Sequence, residues 1–251
     1  MATSQKLRCR VQKVTDHGDH VYTVDLAPEQ SLPRFKPGQF LHLTLDDYDP
    51  GGFWPESRVF SIASSPAQRN ELRISYSVRG KYTARMENEL REGRILWIKM
   101  PYGEFVIQNS TDVVLLAGGT GITAFTAFLE NITPDYPNQV YLAYGARNRS
   151  LLTYKVLLDD QVSRIEKLQA YYFIEHSCHQ DKELQATSEK KKPASPEIPG
   201  YVDIGSFWSS IKNPYDANFY ISGPPAMNRS LSNELLQRGI QKTNIIIDAW
   251  E

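Results

Sequence analysis

The sequence predicts a two-domain chain: an antiparallel β-barrel over residues 1–109, then an α/β domain built on a parallel sheet over residues 110–251. Three observations predict it. The first half holds short β-rich runs parted by turn residues, with little helical periodicity. From Val113 onward, apolar strand candidates alternate with helical stretches, the texture of βα units. Between the two lies VVLLAGGTGITAFTAF, Val113 to Phe128, where an apolar run meets Gly118-Gly119-Thr120-Gly121 and then a helical spacing of Ile122, Phe125 and Leu129. Strand, glycine turn and helix N-terminus leave backbone N–H groups aimed at one spot, an anion site suited to a pyrophosphate.

Bulk properties narrow the classes. A chain of 251 residues, 41% hydrophobic and 23% charged, can bury two modest cores and reads as ordinary globular protein. A net charge of −1 gives no reason to expect a nucleic-acid partner. No apolar run reaches membrane-spanning length, and the start lacks the apolar centre of a signal peptide, so no membrane insertion is expected. Cys9 and Cys178 stand far apart, which suits a reducing compartment and a cytoplasmic location and offers no iron–sulfur or structural zinc spacing. His176, Cys178, His179 and Asp181 are ligand-type side chains, but sequence neighbours seldom make a tetrahedral set, and no metal is expected.

In chain order, strands are predicted at Leu7–Val14, Val21–Leu26, Phe40–Leu45, Val59–Ile62, Leu72–Val78 and Ile95–Lys99. Five or six such strands favour a small closed sheet. Asp46–Pro55 is a loop by its Pro, Gly and Asp content. Arg58-Val59-Phe60-Ser61 places an arginine and a ring on one strand face, either solvated or binding. Gly80 gives a turn ahead of a helix over Ala84–Leu90, with Thr83 as its N-cap, a second candidate anion site. In the second half, strands are predicted at Val140–Tyr144, Ala170–Ile174, Ala217–Ser222 and Asn244–Ile247. Ser150 is placed to cap one helix, and another runs from Pro225 to Gly239 on a stripe of Met227, Leu231 and Leu235. Glu183–Pro199, with Lys190 to Lys192, reads as a polar surface loop.

Arg58 to Ser61, Gly80 to Thr83, Gly118 to Thr123 and Ser222 to Met227, in that order, resemble the ferredoxin–NADP⁺ reductase superfamily over nearly the whole chain. The resemblance implies a flavin-binding barrel, a nicotinamide-dinucleotide domain, and an active site in the cleft between them. Arg58 would meet the flavin phosphates, Val59 and Phe60 would lie along the ring, and Ser61 would hydrogen-bond near N5. Gly80, Lys81 and Thr83 would hold the pyrophosphate, which favours FAD over FMN. Gly118, Gly119, Thr120 and Gly121 would receive the dinucleotide, with Gly223 and Pro224 shaping the nicotinamide pocket. Ser222 stands where many relatives carry Cys, and Trp250 would either cover the flavin or pack between the domains.

The implied activity is a flavoprotein oxidoreductase passing hydride from NADH or NADPH to FAD, then electrons to a separate oxygenase, ferredoxin or cytochrome. Two alternatives stay open: a reductase of free flavin, and a non-catalytic flavin-binding redox sensor. Arg147 and Arg149 could meet a 2′-phosphate or only the pyrophosphate. The run after Ile174 lacks the Ser-Arg pair of many NADPH-preferring relatives, so NADH is slightly favoured.

Overall fold

The computed structural model describes residues 3–176 and 195–248. These fall into two compact units: one reaches Ile107 and adds Thr123–Asn131, and the other comprises Gln108–Ile122 and the residues from Ile132 on. Among the described residues no helix is long and apolar enough to cross a membrane.

The first unit is built on six antiparallel strands: β1 (Gln5–Asp16), β2 (Val21–Pro28), β3 (Phe40–Thr44), β4 (Arg58–Ser61), β5 (Leu72–Ser77) and β6 (Ile95–Tyr102). Their order is β4-β3-β6-β1-β2-β5, and the sheet curls into a nearly closed barrel as β4 and β5 approach. The alternation that predicted these strands is visible as burial: Leu7, Cys9 and Val11 point inward from β1 while Lys6, Arg8 and Arg10 stay exposed. Leu41, Leu43, Ile74 and Ile98 are fully buried in the core, and each contributes about 1.5–3 kcal/mol. Helix α1 (Lys81–Glu89) caps the barrel with Tyr82 and Met86 turned into that core. Helix α2 (Thr123–Leu129), buried along its whole length, packs with this unit.

The second unit carries β7 (Val113–Gly118), β8 (Val140–Ala146), β9 (Leu168–Ile174), β10 (Glu197–Pro199), β11 (Asn218–Ser222) and β12 (Ile245–Ile247), with α3 (Lys155–Arg164) and α4 (Pro225–Gln237). The sheet is parallel in the order β10-β9-β8-β7-β11-β12. A fully buried β7, VVLLAG, is what a strand covered on both faces requires. The strand order reverses at β7, so the ends of β7 and β11 lie side by side, with Ala117 opposite Ser222.

Local details depart from the sequence expectation. The N-cap of α1 is Gly80; Thr83 sits inside the first turn and reaches back, its hydroxyl accepting the N–H groups of Arg79 and Gly80 at 2.9 and 3.1 Å. Asn148, not Ser150, caps the short turn before α3. Residues 197–199, expected as loop, add a strand through pairing with Tyr172–Ile174. Three residues ending in proline carry no readable period, so only the neighbouring strand's free edge reveals it.

Candidate functional site

Each unit carries a candidate site of its own. In the first, Arg58 leaves the edge strand β4, and its guanidinium lies 4.9 Å from the ring centroid of Tyr82, the second residue of α1. Tyr82 is held rigidly: its hydroxyl donates to the Leu43 carbonyl at 2.8 Å and accepts the Leu45 N–H at 3.1 Å. It therefore serves as a platform that brings a cation beside the N-terminus of α1. That terminus has no acidic residue in its first turn, so the helix dipole and Arg58 point the same positive potential outward. Glu56 pairs with Arg58 at 2.9 Å, but both side chains are half exposed, so the pair is weak and exchangeable.

Phe60 packs on the barrel core and meets Tyr76 edge-on at 6.3 Å. Tyr76 is buried, and its hydroxyl has no hydrogen-bond partner among the described residues. Burial pushes that phenol above its ordinary value, so it stays a neutral donor. Ser61 is buried and pairs with Phe40 across β3 and β4, and Val59 is half-buried opposite His42. Lys81 is exposed at the first position of α1, and Thr83 completes its first turn.

In the second unit, the glycines after β7 do different jobs. Gly119 has φ +55°, the left-handed region, and a Cβ there would meet nothing within 4 Å. Gly121 is the reverse: its Cβ would fall 2.2 Å from the Ser222 carbonyl oxygen, so glycine is what lets the turn after β7 touch the end of β11. Gly118 and Gly223 are closed in by Met227 in the same way. Pro224 is the N-cap of α4, and Thr120 is half-buried between the glycines. Gly118–Gly121 and Gly223–Pro224 thus meet at the strand-order reversal, where open α/β sheets bind ligands.

Sequence reasoning missed three residues here. The Ser222 hydroxyl donates to Asp248 at 2.9 Å, and both side chains are buried. Asp248 is fixed by its own N–H on the Ile221 carbonyl at 2.8 Å. Glu175, just past β9, donates its N–H to the Ala146 carbonyl at 3.1 Å, which sets an acid beside the end of β8. Tyr201 follows β10 and is 75% exposed. The readable signal was position, since all three follow the carboxyl end of a parallel strand. Of the arginine candidates, Arg147 is exposed past β8, whereas Arg149 is engaged by Glu197 at 3.1 Å. Trp250, Cys178, His179 and Asp181 lie outside the described residues. Among those described, no cluster of His, Cys, Asp or Glu is gathered for a metal.

A barrel unit followed by a parallel-sheet unit is also found in known proteins. Residues 115–233 match the oxidoreductase NAD-binding domain family. The chain is 22% identical over 246 residues to a flavohemoprotein of Bordetella pertussis, covering 94% of this chain and 58% of that protein. It is 28% identical over 218 residues to the anthranilate 1,2-dioxygenase electron transfer component of Acinetobacter baylyi, covering 84% and 57%. The fold is shared with the FAD/NAD-binding domain of a nitric oxide dioxygenase from Vibrio cholerae, with a TM-score of 0.75 at 18% identity over 97% of this chain and 98% of that one. The chain thus spans less than two thirds of the length of the curated relatives it matches. The family match falls on the second unit, and the fold of both units is shared with the solved structure.

Proposed function

We propose that this chain is an NAD(P)H-dependent flavoprotein reductase that holds FAD on its first unit, takes hydride from a nicotinamide dinucleotide on its second, and passes electrons to a separate acceptor. The observation that carries the reading is the donor set at α1: an arginine seated on a rigid ring beside an acid-free helix N-terminus, matched to a diphosphate. The residues present fit a flavin dinucleotide, since Gly80 is open where a Cβ would stand and the buried Tyr76 hydroxyl lacks a protein partner among the described residues. When bound, the flavin accepts hydride and releases electrons singly.

The chain's own contribution is positioning. Arg58 and the first-turn N–H groups of α1 neutralise the flavin phosphates, with Lys81 and Thr83 at the rim. Phe60 and Val59 would line the flavin ring, and Ser61 would donate a hydrogen bond to its nitrogen N5. In the second unit Gly119 and Thr120 admit the dinucleotide pyrophosphate. Ser222, oriented by Asp248, lines the nicotinamide pocket with Gly223 and Pro224. The Glu175 carboxylate would accept a hydrogen bond from a ribose hydroxyl and repel a 2′-phosphate, which favours NADH. Arg147 then serves the pyrophosphate. The relatives named as a flavohemoprotein and as a dioxygenase electron transfer component support a haem protein or an oxygenase system as acceptor.

The purified 251-residue chain should remain yellow after desalting and bleach anaerobically with NADH at a higher kcat/KM than with NADPH. Ser61→Ala should slow flavin reduction far more than it weakens NADH binding. Loss of colour on desalting, with turnover restored by added flavin, would replace this reading by a free-flavin reductase. Retained colour with no bleaching by either coenzyme would replace it by a non-catalytic flavin-binding module.

A further inference from the structure

One buried carboxylate has a role that helix formation does not explain. Glu130 directly follows α2, and its side chain is only 14% exposed. One oxygen accepts the Ser65 backbone N–H at 3.0 Å, and the other lies 3.5 Å from the Arg73 guanidinium. Arg73 comes from β5 and is fixed from the other side by Asp25 of β2 at 2.7 Å. The next residue, Asn131, accepts the Ser65 hydroxyl at 3.3 Å. A glutamate in water ends a helix equally well, whereas a buried one costs several kcal/mol unless paired. The pairing therefore serves the segment it grips.

That segment is Ile62–Ser65, which is buried throughout and continues directly from Ser61. It is pinned by the Ile62 N–H on the Gln39 carbonyl at 3.0 Å and by the Ala63 N–H on the Arg73 carbonyl at 2.8 Å. At the other end of the linkage, α2 begins one residue after the Gly118–Gly121 turn, with only Ile122 between. Within the first unit, Ser65 and Glu130 thus join the segment after Ser61 to α2, the helix that follows the glycine turn in sequence.

We propose that Glu130 is a positioning residue for hydride transfer: by gripping the Ser65 amide and Arg73, it ties the helix that continues the glycine turn to the segment that continues Ser61. This rests on the reductase reading above. It makes Glu130 a determinant of the hydride-transfer step and not of coenzyme affinity. Among the described residues, Arg73 faces Glu130 and Asp25 stands behind Arg73, so the grip sets a carboxylate opposite a guanidinium.

The test uses the full chain with Glu130→Ala and Glu130→Gln, the latter keeping an oxygen for the Ser65 amide. Anaerobic stopped-flow reduction at saturating NADH should slow about tenfold in the alanine variant and about threefold in the glutamine variant. The NADH dissociation constant and flavin content should stay within about twofold, because neither ligand is touched. Hydrogen exchange at the Ser65 amide, which needs no cofactor, should quicken about tenfold in Glu130→Ala as its acceptor is lost. An unchanged reduction rate in both variants, or slowing matched by equal loss of NADH affinity, overturns the assignment; if Glu130→Ala fails to fold, the glutamine variant decides alone. Should wild-type chain hold flavin but not bleach with either coenzyme, the reductase reading falls and takes this assignment with it. Bleaching that proceeds equally in wild type and variants removes only the role of Glu130.

Discussion

Gly80 and Gly121 each stand in a turn that leads into a helix, yet a methyl group added to them would enter opposite surroundings. At Gly80 φ is −161°, extended backbone open to any residue, and the added carbon would meet nothing within 4 Å. At Gly121 it would lie 2.2 Å from a backbone carbonyl of another segment. One glycine leaves room for something outside the chain; the other lets two parts of the chain touch. The comparison separates binding from folding at positions that read alike, and it can be tested from both sides.

Gly121→Ala should give the largest effect. The neighbour is backbone and cannot swing away, so chemical denaturation should show a loss of about 3 kcal/mol or more. A variant as stable as wild type would mean that the turns after β7 and β11 are not in contact. Next in size is Arg58→Ala, which removes the cation beside α1. Losing one charge-assisted contact to phosphate costs about 1.5–3 kcal/mol, so flavin should dissociate on desalting or bind roughly tenfold to a hundredfold more weakly. Stability of the flavin-free chain should move by under about 1 kcal/mol, because the Arg58 side chain is half exposed and its contacts to Glu56, the Ser57 carbonyl and the Tyr82 ring lie at the surface. Gly80→Ala should cost under about 1 kcal/mol in stability, the difference between two N-cap residues, while weakening flavin retention. If it destabilises as much as Gly121→Ala, the comparison fails.

The smallest effect is in pH dependence. Burial raises the Glu130 carboxyl above its ordinary 4.5, with Arg73 and the Ser65 N–H opposing the shift. The folded chain therefore binds this proton at a higher pH than the unfolded chain does. Its contribution to stability is fully present below 4.5 and is lost as pH rises through the folded value. Glu130→Gln, which cannot titrate, should flatten that part of the stability profile. Denaturation midpoints followed upward from pH 4.5 would show it, and a profile parallel to wild type would remove Glu130 from the titrating set.

Both halves of the fold were legible because their signals are local. Alternating burial on β1 and an unbroken apolar β7 can be read from a few neighbours in sequence. The turn at Gly118–Gly121 was legible for the same reason, and so were Arg58 and Ser61 as a pattern on one strand. Caps were misread because the exact start of a helix is set by backbone placement: Thr83 reaches back to Gly80 from inside the helix, and Asn148, two residues earlier, takes the place expected of Ser150. Strand β10 was missed because pairing with β9, and not its own three residues, makes it a strand.

The sequence by itself determined the two architectures and the glycine turns that lead into helices. Tertiary structure alone decided which glycine packs and which stays open, that Ser222 is oriented by Asp248, that Glu175 stands beside Ala146, and that Glu130 grips Ser65 and Arg73. Periodicity and turn chemistry act over a few residues and are written into the chain. Desolvation and hydrogen bonding across 26 residues, as from Ser222 to Asp248, or across 65, as from Ser65 to Glu130, arise only once the chain has brought distant residues into one dry place.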